Sequence, residues 1–346
     1  MRKALILLGL MMIFAMPVQA IDLSAPPVTG PASEWMPAQP ENLQEGIREV
    51  LRRAICSVRP DLKEASTVCI KITVVLVMVS VVRTMSGDTE KTADLAGAIA
   101  VAGILLTSTG SMINLGAETV GRVSDYGKLL LPVLAAALGA QGAITTSSAL
   151  YAGTVLFDSV LSGVIRKLLV PLIYMFLLLA IANSAVGENI LKKLKDLMKS
   201  FMTWLLKTLL YVFTGYIGIT GVVSGPTDAM ALKAAKLTIS GFVPVVGGIL
   251  SDASEAVLIS AGTVKNTVGL YGLFAVLAIW IGPFLKIGSH YLLLKFTGGI
   301  CSIFGSKSAT ELISDFATAM GYLLGMTGAV CLMLLISTVC FMRGVS

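Results

Sequence analysis

Two pairs of ionisable side chains have a spacing that could do chemistry. Lys233 and Lys236 lie three residues apart, as do Asp252 and Glu255, so each pair would share one face of a helix. Pro244 and paired glycines separate the two pairs and break any continuous helix. Charge inside a membrane costs about 3 kcal/mol per group unless it faces water or protein. The pattern therefore predicts either a solvated surface loop or a hairpin that lines a wet path or docks a partner.

Three further polar residues stand inside apolar runs and are candidates for lining such a pathway. They are Gln141, Asp158 and Asn183. Polar groups at such positions mark ion or substrate paths, or they hydrogen-bond a neighbouring helix and do nothing more. The sequence leaves both interpretations open.

Catalytic and metal-binding motifs are missing from the sequence. With one histidine there is no HExxH motif, and no G-x-S-x-G motif or paired-aspartate motif of an intramembrane protease occurs. Five cysteines form no CxxC pair. Cys56 and Cys69 form a disulfide or stay free thiols, and the second alternative is favoured. We therefore predict no catalytic residue, no metal and no cofactor.

The composition is that of a membrane protein. Of 346 residues, 55% are hydrophobic and only 13% are charged, and the mean hydropathy is +0.87. A soluble domain of this length needs more polar surface. The net charge of +6 comes from Lys and Arg spread between apolar segments, which favours a topology signal over nucleic-acid binding. The predicted fold is all-α: a polytopic membrane protein with broken or re-entrant helices and a short extracytoplasmic N-terminal segment.

The chain divides into three parts. Residues 1–20 have the basic start, short apolar run and small residues of a signal peptide, with an uncleaved anchor as the alternative. Residues 21–65 are predicted to be an extracytoplasmic polar segment that ends in an amphipathic helix. Residues 66–346 form a transmembrane domain of about seven or eight helices.

The spans are separated by several predicted breaks. Loops are expected at 118–128 and 297–314, and an interruption at Pro283. The stretch 129–165 is too long for one crossing and is interpreted as two short segments, followed by a span at 168–186. The lysines at 192, 193, 195 and 199 are expected to lie on an amphipathic basic helix at the cytoplasmic face. Arg166 and Lys167 would then lie on the outer face, which conflicts with a consistent placement of positive residues on the cytoplasmic side. The remaining spans are expected at 66–82, 93–115, 204–223, 270–294 and 320–342.

Glycines recur on one face of two predicted spans. Small residues at this spacing let a neighbouring helix approach closely, within the chain or between copies in a homo-oligomer. The residues concerned are Gly215, Gly218, Gly221, Gly225, Gly321, Gly325 and Gly328.

The stretch 233–272 resembles the stage III sporulation protein AE family of endospore-forming bacteria. The resemblance is carried by Lys233 and Lys236, by the turn from Phe242 to Gly247, by Asp252, and by the run that begins with Lys265 and Asn266. It implies a multi-pass protein in the mother-cell membrane around the engulfed forespore. It also implies partners: other stage III A proteins, including an ATPase and ring-forming components, and a forespore-side protein.

Three functions remain open from the sequence. The resemblance implies a non-enzymatic component of a secretion-like channel between mother cell and forespore, acting as export gate or scaffold and contacting membrane lipids. Broken helices and polar groups also fit a secondary transporter for a small solute. An assembly platform without a pore is the third interpretation. The 231–272 stretch and the N-terminal segment are the candidates for docking.

Overall fold

The computed structural model describes residues 26–37, 43–85, 90–140, 144–219, 267–304 and 307–343. Over these residues the regular elements are helical, which confirms the all-α prediction. A short 3-10 helix covers Gly30–Trp35. The main helices are α1 (Leu43–Met85), α2 (Glu90–Ala140), α3 (Ile144–Val164), α4 (Val170–Val186), α5 (Asn189–Ile219), α6 (Thr267–Cys301) and α7 (Lys307–Arg343).

Helix α7 forms the core of the described bundle. Its sequence is apolar on all sides over its C-terminal two thirds, as expected for a helix that is enclosed by others. In its most apolar stretch, 94% of the residues are buried, and Phe316, Tyr322 and Phe341 are fully buried. It packs against α6, α2 and α4. The C-terminal helix α7 is therefore protein core.

Helix α1 presents the opposite case. Only 17% of its most apolar stretch is buried, and Ile70, Val74 and Met78 are all more than half exposed. These positions lie four residues apart and share one helix face. Such an unpaired apolar face is what contact with lipid requires. Five of the described helical runs are long and apolar enough to cross a membrane.

Helix α4 ends at a glycine for a conformational reason. Gly187 has φ 72°, in the left-handed region, and its backbone N–H donates to the Asn183 carbonyl at 2.8 Å. A side chain is disfavoured in this conformation, so glycine is the residue that terminates the helix. The reversal lets α5 return along α4.

Two predicted loops are wrong, because they are helical. The stretch 118–128 lies inside α2, where Glu118 pairs with Arg122 and Asp125 pairs with Lys128. Charges three or four residues apart stabilise a helix instead of interrupting it. The stretch 297–314 contains the end of α6, a 3-10 turn at Ser302–Phe304 and the start of α7.

The predicted interruption at Pro283 is also wrong. Helix α6 continues through Pro283, as α2 continues through Pro132. A proline removes one backbone hydrogen bond, and packing of the helix against its neighbours can offset that loss.

The predicted division near Arg166 is wrong as well. A π-helical turn at Ile165–Leu169 joins α3 to α4 without a break, so 144–186 is one helical run. Arg166 and Lys167 are exposed on that turn. They do not form a loop between two crossings, so the expected conflict in orientation falls away. Helix α2 ends at Ala140 and α3 begins at Ile144, and residues 141–143 lie outside the described residues.

The continuity of α1 bears on two sequence predictions. The helix runs through position 65, where the outer segment was predicted to meet the first span. It also separates Cys56 from Cys69 by about 20 Å of helical rise, which is too far for a disulfide. Both thiols are free, as the sequence favoured. The predicted signal peptide lies outside the described residues.

Gly282 of α6 packs closely against Trp35 of the N-terminal segment. A pair of glycine variants tests this contact. A methyl group on Gly282 would overlap the ring of Trp35, whereas one on Gly299 of the same helix would meet nothing within 4 Å. We expect Gly282→Ala to displace Trp35, seen as a change in tryptophan fluorescence and faster proteolysis near residue 37. Gly299→Ala should leave both unchanged. Equal behaviour of the two variants would contradict this packing.

Candidate functional site

Asp158 is buried between two helices of the bundle. It lies on α3 and is 3% exposed. The Ser124 hydroxyl of α2 donates to its Oδ2 atom at 2.6 Å. The Oδ1 atom has no hydrogen-bond partner among the described residues. A buried carboxylate oxygen without a partner is costly and requires an explanation.

Two buried hydroxyls on α3 also lack a hydrogen-bond partner among the described residues. Thr154 and Ser162 lie four residues on either side of Asp158, hence on the same helix face. They are 1% and 2% exposed, and neither hydroxyl oxygen has a partner in the described part of the chain. We call Ser124, Thr154, Asp158 and Ser162 the Asp158 cluster.

The surroundings of the Asp158 cluster include exposed charges. Asp125 and Lys128 form an ion pair on α2 with exposed fractions of 69% and 53%. Both act electrostatically on Asp158, as does Arg166 of the π turn. Exposed charges of this kind are not stable against hydrocarbon. This face of α2 therefore meets water, headgroups or protein next to the buried carboxylate.

A second ionic group joins α5 to α7. The Lys195 ammonium is 2.6 Å from Asp315 Oδ2 and 2.9 Å from Glu311 Oε1. Its side chain is only 4% exposed, against 14% for Asp315 and 42% for Glu311. Burial lowers the pKa of Lys195, and its hydrogen bonds to the two carboxylates outweigh that effect, so the pKa lies above the ordinary value. Lys195 is therefore charged at neutral pH.

The sequence interpretation of this segment missed the buried lysine. The lysines from 192 to 199 were expected to form one basic surface of an amphipathic helix, and α5 does begin there. Lys195, however, stands at helical spacing with Leu191, Met198 and Met202, which form the side that packs inward. That spacing was the available signal.

A third ionic group joins α1 to α6. The Lys286 ammonium is 2.8 Å from Glu64 Oε2 and 3.6 Å from Asp61 Oδ1. His290 follows one turn later, with Nδ1 3.1 Å from the Lys286 carbonyl oxygen. Its Nε2 is buried without a described partner. The crevice beside His290 is too narrow for a water molecule, so this group serves to join helices.

The three ionic groups differ in what they can do. In the Lys195 and Lys286 groups each charge meets an opposite charge, so they hold helices in register. The Asp158 cluster has oxygen atoms left over and no cation in hydrogen-bond contact. No group of three or more His, Cys, Asp or Glu suited to a metal ion occurs among the described residues. The Asp158 cluster is thus the candidate site.

The comparison with known families gives one match over almost the whole chain. The family described as stage III sporulation protein AE matches residues 36–344.

The chain belongs to the stage III sporulation protein AE family.

The resemblance seen in the sequence is therefore confirmed. A curated relative, stage III sporulation protein AE of Bacillus subtilis (strain 168), is 26% identical over 235 residues. The match covers 68% of this chain and 59% of the relative, so it spans less than two thirds of the relative's length. No solved structure matches.

Most of the stretch that carried the family resemblance, residues 233–266, lies outside the described part of the structure. The predicted docking and pathway residues concerned are Gln141, Lys233, Lys236, Pro244, Asp252, Glu255, Lys265 and Asn266. Their roles remain predictions, as does the hairpin they were expected to form. Of the pathway candidates, Asp158 and Asn183 fall in described helices, and Asn183 is 8% exposed in α4.

The predicted glycine faces differ in burial between α7 and α5. Gly321, Gly325 and Gly328 are buried in α7, the core helix. Gly215 of α5 is exposed, and no described atom lies within 4 Å of its added methyl position. Gly218 lies in α5, but its burial is outside the described part of the structure. Gly221 and Gly225 lie outside the described residues. Their role in packing stays a prediction.

Proposed function

We propose that this chain is a non-enzymatic membrane component of a channel-like complex between mother cell and forespore, required after engulfment. It acts there as export gate or scaffold. The match to a sporulation family over residues 36–344 carries the proposal. The membrane-type bundle supports it, since the Lys195 and Lys286 groups join its helices.

The proposed partners are the other stage III A proteins, including an ATPase and ring-forming components, and a forespore-side protein. An uncovered surface on α1 supports docking. Leu51 and Ile55 are 42% and 62% exposed, and they line an open groove with Arg48 and Arg52. Apolar side chains beside arginines are common at protein interfaces.

Deletion of the gene in its own sporulating host tests the cellular role. We expect unchanged vegetative growth, completed engulfment, and a loss of heat-resistant spores by at least about a hundredfold, because a stage III function acts after engulfment. Spore counts and membrane-dye microscopy give the result, with a complemented strain as control. Normal spore counts in the deletion strain would overturn the proposal.

Crosslinking tests the partners. A photo-reactive amino acid at Leu51 should capture a stage III A protein in sporulating cells. The matched control is Ser57, which is also exposed on α1 but about 120° around the helix. We expect a specific adduct at Leu51 only. Capture of lipid alone at Leu51 would overturn the docking role of this surface. Solute uptake by the purified protein in vesicles without partners would favour the transporter alternative.

A further inference from the structure

The Asp158 cluster has more polar atoms than its contacts satisfy. Buried hydroxyls elsewhere in the described helices, such as those of Thr119, Thr297 and Thr327, donate to a carbonyl four residues before them. The hydroxyls of Thr154 and Ser162 do not. With Asp158 Oδ1, three partnerless oxygens thus follow one another along a single face of α3. Side-chain oxygens in this state require a ligand or a change of protonation.

We infer that the Asp158 cluster is a reversible proton-binding site inside the bundle. The proton comes from solvent and forms an O–H bond on the Asp158 carboxylate, and no bond between heavy atoms changes. A serine or threonine hydroxyl can both donate and accept. The Ser124 hydroxyl, 2.6 Å from Oδ2, donates to the ionised carboxylate.

The surrounding charges support a single titrating group. Asp158 is the only charged residue of α3. From α2 it faces Asp125 and Lys128, and from the π turn it faces Arg166. The rings that α5 places beside Phe157 belong to Phe213 and Tyr216.

The carboxylates of α7 are occupied elsewhere. Glu311 and Asp315 both bind Lys195. Neither of them is therefore available to share the proton of Asp158.

Exposed charge lies close to the α2 side of the cluster. Ser124 is buried and bonds Asp158, while the next residue, Asp125, is 69% exposed. The proton is therefore proposed to enter from this side. A sodium ion would need five or six oxygen ligands, whereas the described side chains place one carboxylate and hydroxyls a full turn apart. A proton needs only one acceptor.

Infrared spectroscopy of the purified full-length protein in lipid nanodiscs tests the inference. We expect a buried carboxyl C=O band that appears and disappears reversibly between about pH 4 and 9. The band should be absent from Asp158→Asn and present in Glu118→Gln, which removes an exposed carboxylate of α2. The wild-type protein alone gives the titration, so a folding failure of Asp158→Asn leaves the test intact.

A second variant separates titration from structure. Ser124→Ala removes the donor to Oδ2, which favours the ionised form, so the band's midpoint should move to higher pH by about one to two units. No titrating band in the wild type, an unchanged band in Asp158→Asn, or no shift in Ser124→Ala would overturn the inference. A band displaced at constant pH when choline is replaced by Na⁺ would overturn it in favour of a sodium site.

Discussion

Replacing Lys195 by methionine should destabilise the protein by about 3–5 kcal/mol. The substitution keeps the length of the side chain but leaves Asp315, which is 14% exposed, without its cation. Removing one partner of a buried ion pair has a cost of this size because the other charge stays buried. We expect α5 to detach from α7, measured as a lower melting temperature in detergent and new protease cleavage between residues 189 and 203.

The matched control for this variant is Lys192→Met on the same helix. Lys192 is exposed, so its loss should change stability by less than about 0.5 kcal/mol. Lys195→Arg, which keeps the charge, should fall between the two. If Lys195→Met and Lys192→Met melt at the same temperature, the ion pairs of Lys195 with Glu311 and Asp315 do not contribute to the stability of the protein.

Replacing Tyr322 by alanine should have an effect of similar size for a different reason. Tyr322 is fully buried in α7, and its hydroxyl donates to the Lys199 carbonyl of α5 at 2.8 Å. Truncation of a buried aromatic ring leaves a cavity and costs about 3–5 kcal/mol. The loss of the hydroxyl alone in Tyr322→Phe should cost only about 1 kcal/mol, since Thr203 also donates to that carbonyl.

Thermal unfolding of the two tyrosine variants separates packing from hydrogen bonding. The alanine variant should melt well below the phenylalanine variant, and the phenylalanine variant close to wild type. If the two variants were equally unstable, the hydroxyl and not the ring would hold α5 against the core.

The sequence predicted the type of fold because the apolar composition leaves few alternatives. It also singled out Asp158 as a polar group inside an apolar run, and the structure buries this residue. It could not supply the partner, since Ser124 lies 34 residues earlier and meets Asp158 only through the register of α2 against α3. That register depends on side-chain packing and on the turn between the helices, which local patterns do not encode.

The boundaries of the helices were harder to predict than their existence. The charges from Glu118 to Lys128 and the proline at 283 are typical breakers in a short apolar run. In the bundle the charges pair along the helix, and packing offsets the lost hydrogen bond at the proline. The burial of Lys195 was not predicted, because a lysine is assumed to be solvated unless the other residues on its helix face are considered.

The ion pairs of Lys195 with Glu311 and Asp315 are expected to organise helices and to have no other role. Heat-resistant spore counts in a strain whose only copy carries Lys195→Met, Glu311→Gln and Asp315→Leu together test this most directly. Replacing all three charges together leaves no buried charge without its partner. We expect a stable protein and spore counts within about tenfold of wild type. A stable, membrane-inserted protein that yields no spores would contradict it.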